Sequence, residues 1–296
     1  MQSWFNRSGY LQGIFFSLLV FLVSSTNDTV MKFVGQRLSE LEVAFFRFFF
    51  GFITLLPFII KRGRSIFVTK YLGLNILRSV LGFLSVLLCV YSVIKMPLAE
   101  VTTVFWTLPL FVLVLSAIFL KERVSASRWV ATLIGFSGLY FLMNPDGVSL
   151  RLVVLIPVAS AILFAIQDIL IKKMVDDEDR FTMLFYFSLG TTALSLIPAL
   201  CDWTCPTGNE LAWLFVLGAG GNLIQYFIFK AYAAAELSAL APFRYCEFIV
   251  SAAFGFIFFG DVPGMNLYIA AAIIAPSTLY LVYNESSKKH KLSEAA

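Results

Sequence analysis

The sequence is short of charge. Asp, Glu, Lys and Arg together make up 14% of its 296 residues, against the ~25% usual for a soluble globular domain. Histidine is nearly missing: the one copy, His290, sits in the polar C-terminal tail. A paired-histidine metal motif is therefore excluded, and so is a catalytic histidine unless the tail folds back. Cysteine is scarce as well. Cys89, Cys201, Cys205 and Cys246 are too few for a disulfide framework. No glycine-rich Walker loop occurs, so ATP-driven pumping by this chain alone is not expected. Neither a metal nor a cofactor is expected.

Apolar surface, in contrast, is abundant. Apolar residues make up 59% of the chain, 32 of them Phe, and the mean hydropathy is +0.86. A water-soluble protein of this size cannot hide that much apolar surface in one core. That excludes a soluble enzyme and a nucleic-acid binder. The net charge of +4 is small and scattered, as expected for basic loops between membrane spans. The expected class is an all-α integral membrane protein.

Crossing ~30 Å of hydrocarbon takes ~20 mostly apolar residues. Ten segments meet that test, near 11–34, 42–60, 72–94, 97–120, 127–143, 150–172, 181–200, 211–232, 238–259 and 265–283. The apolar run after Arg7 imitates a signal peptide, but no small-x-small cleavage site follows, and it reads as a retained first span. With the N-terminus inside, inside segments carry 15 cations and outside segments three, Arg37, Lys95 and Arg151. The bias places both termini in the cytoplasm. Cys201 and Cys205 bracket an outside loop and are read either as a disulfide or as two free thiols.

The two halves echo each other. Asn27-Asp28-Thr-Val-Met-Lys32 matches Gln167-Asp168-Ile-Leu-Ile-Lys172, Ala99-Glu100 matches Ala235-Glu236, and Phe119-Leu-Lys-Glu122 matches Phe258-Phe-Gly-Asp261, at offsets of 140, 136 and 139. Each match is weak, but three in one order point to duplication, with repeats at 1–145 and 146–296. Five spans per repeat is odd, so the second repeat enters the membrane upside down. Inverted repeats suit secondary transporters, whose substrate sits between the halves near mid-depth.

Two five-helix halves, with Leu120-Lys-Glu122 and Phe259-Gly-Asp261 closing the fourth helix of each, resemble the EamA branch of the drug/metabolite transporter superfamily. The resemblance covers the whole chain and implies ten helices around a central cavity. Asp261 stands where Glu is usual. More specifically, Ser24-Ser25-Thr-Asn27-Asp28-Thr-Val-Met-Lys32-Phe-Val-Gly35, Glu42-Val-Ala-Phe-Phe-Arg47, Leu214-Phe-Val-Leu-Gly218 and Ala241-Pro-Phe-Arg244-Tyr-Cys-Glu247 are similar to the S-adenosylmethionine transporters of obligate intracellular bacteria. That resemblance implies uptake of S-adenosylmethionine through the inner membrane in exchange for S-adenosylhomocysteine. Within the wider family an exporter of amino acids or drugs is the rival reading. A membrane scaffold or a lipid-handling enzyme is a third.

Seven ionisable groups lie inside apolar spans: Asp28, Lys32, Arg47, Arg78, Asp168, Arg244 and Glu247. Unpaired and facing lipid, each would cost ~2.5–3.5 kcal/mol at a helix centre. They must pair, snorkel or face a wet cavity. Asp28 and Lys32 are four apart and share a helix face, as do Asp168 and Lys172, so structural pairing and substrate contact both remain open. Asn27 and Gln167 beside the acids serve a cavity or glue helices together. Arg244 and Glu247, after Pro242, form either a buried pair or a site in which Arg244 takes a substrate carboxylate in a two-pronged contact while Glu247 holds the arginine or meets the amino group. Arg47 with Glu42 reads as an interfacial or structural pair, and Arg78 as reaching back toward the cytoplasm. Trp106, Tyr226 and Tyr245 lie mid-span, where they either pack helices or receive a sulfonium or an adenine. The candidate substrate-binding set is thus Asn27, Asp28, Lys32, Trp106, Gln167, Asp168, Tyr226, Arg244, Tyr245 and Glu247.

Overall fold

The computed structural model describes residues 9–96, 101, 104–105, 107–142, 155–245, 247, 272, 276 and 280. Trp106, Cys246, Asp261 and the turn at Pro97 lie outside them. Every element among the described residues is helical. In chain order these are α1 (Gly9–Val34), α2 (Glu40–Arg62), α3 (Leu72–Lys95), α4 (Leu108–Leu115), α5 (Ala126–Leu142), α6 (Leu155–Met174), α7 (Arg180–Leu200), α8 (Gly208–Ala234) and the short α9 (Leu237–Leu240). Six of them, α1, α2, α3, α6, α7 and α8, are long and apolar enough to cross a membrane. The protein is a multi-pass membrane protein.

Helix is what a lipid-facing chain must adopt, since no water is present to bond a free backbone group. Side-chain hydroxyls follow the same rule by bonding back one turn. Ser17 donates to the Gly13 carbonyl and Thr26 to the Leu22 carbonyl. Helix starts carry their own caps. Ser39 and Glu42 form a capping box on α2, Thr207 and Glu210 form one on α8, and the Asp179 carboxylate accepts from Phe181 and Thr182 on α7.

The fourth and ninth expected spans depart from a plain α-helix. After α4 the chain passes through a π turn at Ser116–Leu120 and stops at Lys121, which is left-handed at φ 55°. After α9 it tightens into a 3₁₀ turn at Ala241–Tyr245. Pro242 lacks the N–H that a regular α-helix would use there.

Helix α1 packs along α8, α2 along α7 and α8, and α3 along α6 and α7. The α1–α8 pair is antiparallel: Arg37 meets Glu210, Asn27 meets Leu217, and Gly9 meets Ala234. The α2–α7 pair is antiparallel too, with Phe58 on Phe181 and Glu42 near Thr204. Close approach has a price in side-chain size: a Cβ on Gly218 would come within 2.6 Å of the Gly51 backbone nitrogen. One buried apolar cluster, with Val34, Phe46, Val90 and Leu214, fills the end near the α1–α2 turn. A second, with Leu113, Met174, Phe229 and Leu237, fills the opposite end. Polar and charged residues lie between them.

Candidate functional site

Between the two clusters is a cavity of about 730 Å³, within the ~300–1,000 Å³ typical of small-molecule sites. Its lining comes from both halves of the chain and includes Asp28, Lys32, Gln167, Asp168, Arg244, Tyr245 and Glu247 from the expected set. Asn27 and Tyr226 do not line it. Asn27 is buried and donates to the Leu217 carbonyl at 3.2 Å, tying α1 to α8. Tyr226 packs on Phe181 and Phe227, with the Lys230 ammonium 5.7 Å from its ring centre.

The charges are partnered differently from the expectation drawn from helix faces. Arg244 Nη2 donates to Asp168 Oδ2 at 2.5 Å and to Tyr232 Oη at 2.8 Å. Asp168 is therefore not paired with Lys172. The Lys172 ammonium instead binds the Tyr232 and Ala235 carbonyls at 2.5 and 3.2 Å. Lys172 is pulled along α6 toward these free helix-end carbonyls, where a cation is stabilised. Glu247 forms no ion pair with Arg244, although the guanidinium's field reaches it; its carboxylate accepts from Ser24 on α1.

Asp28 and Lys32 form no ion pair. Lys32 is exposed near the end of α1, and the cation whose field reaches Asp28 is Arg47 of α2. The expected Arg47–Glu42 pair is absent as well. Five residues turn a helix by about 140°, putting the two on different faces. Glu42 instead accepts from the backbone N–H groups of Ser39 and Thr204. Arg47 lines the cavity against Gly221 and forms no hydrogen bond with any described residue. Glu247 lies within electrostatic reach of Asp28. The cavity thus holds one closed pair, Asp168 with Arg244, and one open cluster in which Asp28 feels Arg47 and Glu247, the latter also within the field of Arg244.

Arg78 does not reach back to water. It is fully buried, donates to the Met183 carbonyl and to Gln225 Oε1, and lies over the Phe187 and Phe229 rings at 4.6 and 4.9 Å. Several polar lining residues lie outside the expected set, among them Arg47, Ser188, Asn222 and Gln225. A signal for them exists in the sequence. Gly218, Gly221, Asn222 and Gln225 recur at helical spacing on one face of the mostly apolar middle of α8. Asn222 donates to the Gly51 carbonyl and to Thr54 Oγ1, and accepts from Ser188. Gln167 is held by Ser85 Oγ at 2.6 Å.

The cavity lining runs from exposed Lys32, Phe33 and Gln36 at its mouth to buried Leu237, Leu240 and Ala241 at its floor. Below the floor, the Glu122 carboxylate accepts from the N–H groups of Leu237 and Ser238 at 3.0 and 2.9 Å. Arg128 pairs with Glu236 at 2.6 Å and donates to Ser238. At the mouth, Arg37 pairs with Glu210 and donates to the Cys205 carbonyl at 3.0 Å. The bond to Glu210 holds the Arg37 guanidinium above its ordinary pKa. Tyr71, at the floor end, is likewise raised because its hydroxyl donates to Asp177. Cys201 and Cys205 are both free and exposed, so no disulfide closes that loop.

Comparison with known proteins agrees with this architecture. The model of the EamA-like transporter family matches twice, over residues 11–144 and 151–283. The chain belongs to the EamA-like transporter family. It is 40% identical over 285 residues to a protein of Rickettsia felis named S-adenosylmethionine uptake transporter, covering 95% of this chain and 97% of that one. It is 30% identical over 287 residues to a riboflavin transporter of Vibrio cholerae, covering 95% and 96%. A crystal structure of another protein superposes with a TM-score of 0.76 at 17% identity, covering 95% of this chain and 98% of that one. At that identity the likeness speaks for the fold alone. As an EamA transporter the chain moves a small molecule across a membrane and is not an enzyme, in line with its sequence.

Proposed function

We propose that this EamA transporter imports S-adenosylmethionine across the inner membrane, in exchange for S-adenosylhomocysteine, by alternating access. The observation that carries the reading is the open charge cluster in the central cavity. S-adenosylmethionine presents a carboxylate, an ammonium and a sulfonium within a few bonds of one another. Arg47, with no bond to any described residue, is placed to take the carboxylate through its planar fork. Asp28 and Glu247 face the two cationic groups. Arg244 has its guanidinium tied to Asp168 and Tyr232, so its part is to hold the site's shape.

Riboflavin is the second reading, favoured by the relative of that name. A neutral substrate would leave Asp28, Glu247 and Arg47 without counter-charges from the ligand, an expensive arrangement at mid-membrane. The charged substrate fits better.

The reading includes ten spans in two inverted repeats, 1–145 and 146–296, with both termini cytoplasmic. Its support is the pairing of the halves. α1 packs on α8 as α6 packs on α3, and α2 packs on α7, as an internal two-fold axis requires. The caps Ser39 and Asp179 stand 140 residues apart, and the helix starts after Tyr71 and Thr207 stand 136 apart. With this orientation the cavity mouth faces outside, ready to receive substrate. The test is competition with labelled S-adenosylmethionine uptake in cells expressing the protein. Unlabelled S-adenosylhomocysteine is expected to compete, while methionine, adenosine and riboflavin compete far less. Riboflavin competing better than S-adenosylhomocysteine would replace this substrate by the second reading.

A further inference from the structure

Arg78 is a buried cation with no carboxylate partner among the described residues. It is 0% exposed, and its Nε has no hydrogen bond. What it does have is two aromatic faces, the Met183 carbonyl, and Gln225 Oε1 at 3.1 Å. Gln225 in turn lines the cavity. A guanidinium has only donors, so whatever it touches must present an acceptor. Gln225 is therefore obliged to turn its oxygen to Arg78 and its NH₂ away. No described residue accepts from that NH₂, and it is not sealed off in the interior. The ambiguity of amide orientation is removed here by chemistry.

From this we infer that Gln225 is a one-way hydrogen-bond donor to the planar heterocyclic base of the substrate, and that Arg78 is the positioning residue that fixes its polarity. The inference rests on the proposed function and adds to it the subsite for the base. A neutral donor suits a neutral acceptor such as a ring nitrogen, because neither partner has a charge to desolvate. The position fits as well. Gln225 is four residues beyond Gly221, against which Arg47 lies, and so about 6 Å further along α8. A ligand holding its carboxylate at Arg47 would extend its base toward Gln225. Phe187, which carries Arg78 on its ring, also lines the cavity, and bases are commonly received beside aromatic rings.

The test pairs ligand atoms with protein variants. Three S-adenosylhomocysteine analogues, with N1, N3 or N7 of the ring replaced by CH, serve as unlabelled competitors of labelled S-adenosylmethionine uptake. Wild type should bind one of the three about tenfold more weakly than the parent, the loss of one hydrogen bond to a neutral group. In Gln225→Leu, and in Gln225→Glu, which keeps a partner for Arg78 and guards against misfolding, that discrimination should fall to about onefold. Arg78→Lys keeps the charge but loses the fork, and should reduce the discrimination with Gln225 intact. A purely structural role for Arg78 would lower protein yield and maximal rate and leave the analogue ratio unchanged. Equal discrimination in wild type and both Gln225 variants, or none in wild type, overturns the inference. If wild type takes up no S-adenosylmethionine, the function reading falls, and the same ligands are measured by thermal shift of the purified protein. Discrimination there that disappears in the Gln225 variants keeps the subsite; absence of binding overturns it.

Discussion

Arg47 and Arg244 are both arginines in apolar helices, and their surroundings give them different work. Arg244 is locked to Asp168 and Tyr232. Replacing it with Ala leaves a carboxylate buried without its cation, a change of about 3–5 kcal/mol. Arg244→Ala should therefore lower the thermal midpoint of the purified protein, and Asp168→Asn with Arg244→Met should recover much of the loss. Arg47→Ala breaks no hydrogen bond and should lower that midpoint less than Arg244→Ala does, while weakening S-adenosylmethionine uptake at least tenfold. A stable Arg47→Ala protein with wild-type uptake would remove Arg47 from the substrate. Asp28 gives a parallel case. Since Lys32 is not its partner, Asp28→Asn with Lys32→Gln should transport no better than Asp28→Asn alone, measured by initial uptake rates. That charges would gather in the interior was legible in the sequence, because a charge inside an apolar run must be accounted for; the part of Arg47 in the cavity was not, since it read as a structural partner of Glu42. Nor was the pairing of the charges legible. Asp168 and Arg244 are 76 residues apart, and helix-face spacing speaks only of neighbours one turn away.

At the level of helices, the six spans found among the described residues were legible because hydrocarbon thickness fixes their length. The expected 72–94 and 181–200 fall on Leu72–Lys95 and Arg180–Leu200. The π turn after α4 and the 3₁₀ turn after α9 were not, since apolar residues in a membrane give the same signal whatever the winding. Helix contacts depend on small residues. A Cβ on Gly218 would meet the Gly51 backbone, whereas one on Gly220 would meet the Asn27 side chain at 2.2 Å. Gly218→Ala must part α2 from α8 and should cost about 1–3 kcal/mol. Gly220→Ala should cost less, because a side chain can move aside. Thermal unfolding of the two variants in detergent measures the order. The floor of the cavity is held by Glu122 on the free N–H groups of α9, a favourable place for a carboxylate. Glu122→Gln should loosen that end and shift the protein toward the state open there. Faster labelling of an introduced floor cysteine, Leu240→Cys, by a membrane-impermeant thiol reagent added from the floor side would report it.

For the whole molecule, the pairing of α1 with α8, α3 with α6 and α2 with α7 ties each half to the other across the cavity. The proposed exchange requires that two halves so paired rock between two packings of similar energy. S-adenosylmethionine and S-adenosylhomocysteine share carboxylate, ammonium and base and differ by a methyl and its charge. On the proposed reading, an acidic or aromatic contact at the sulfonium should separate them by about 0.5–2 kcal/mol, less than a hundredfold, so that one cavity would serve both directions. The most direct test is uptake of labelled S-adenosylmethionine by proteoliposomes, empty or preloaded with S-adenosylhomocysteine. Preloading is expected to accelerate uptake severalfold in the wild type and not in Arg47→Ala. Absence of S-adenosylmethionine uptake from loaded and empty vesicles alike, with riboflavin taken up by the same preparation, would contradict the account.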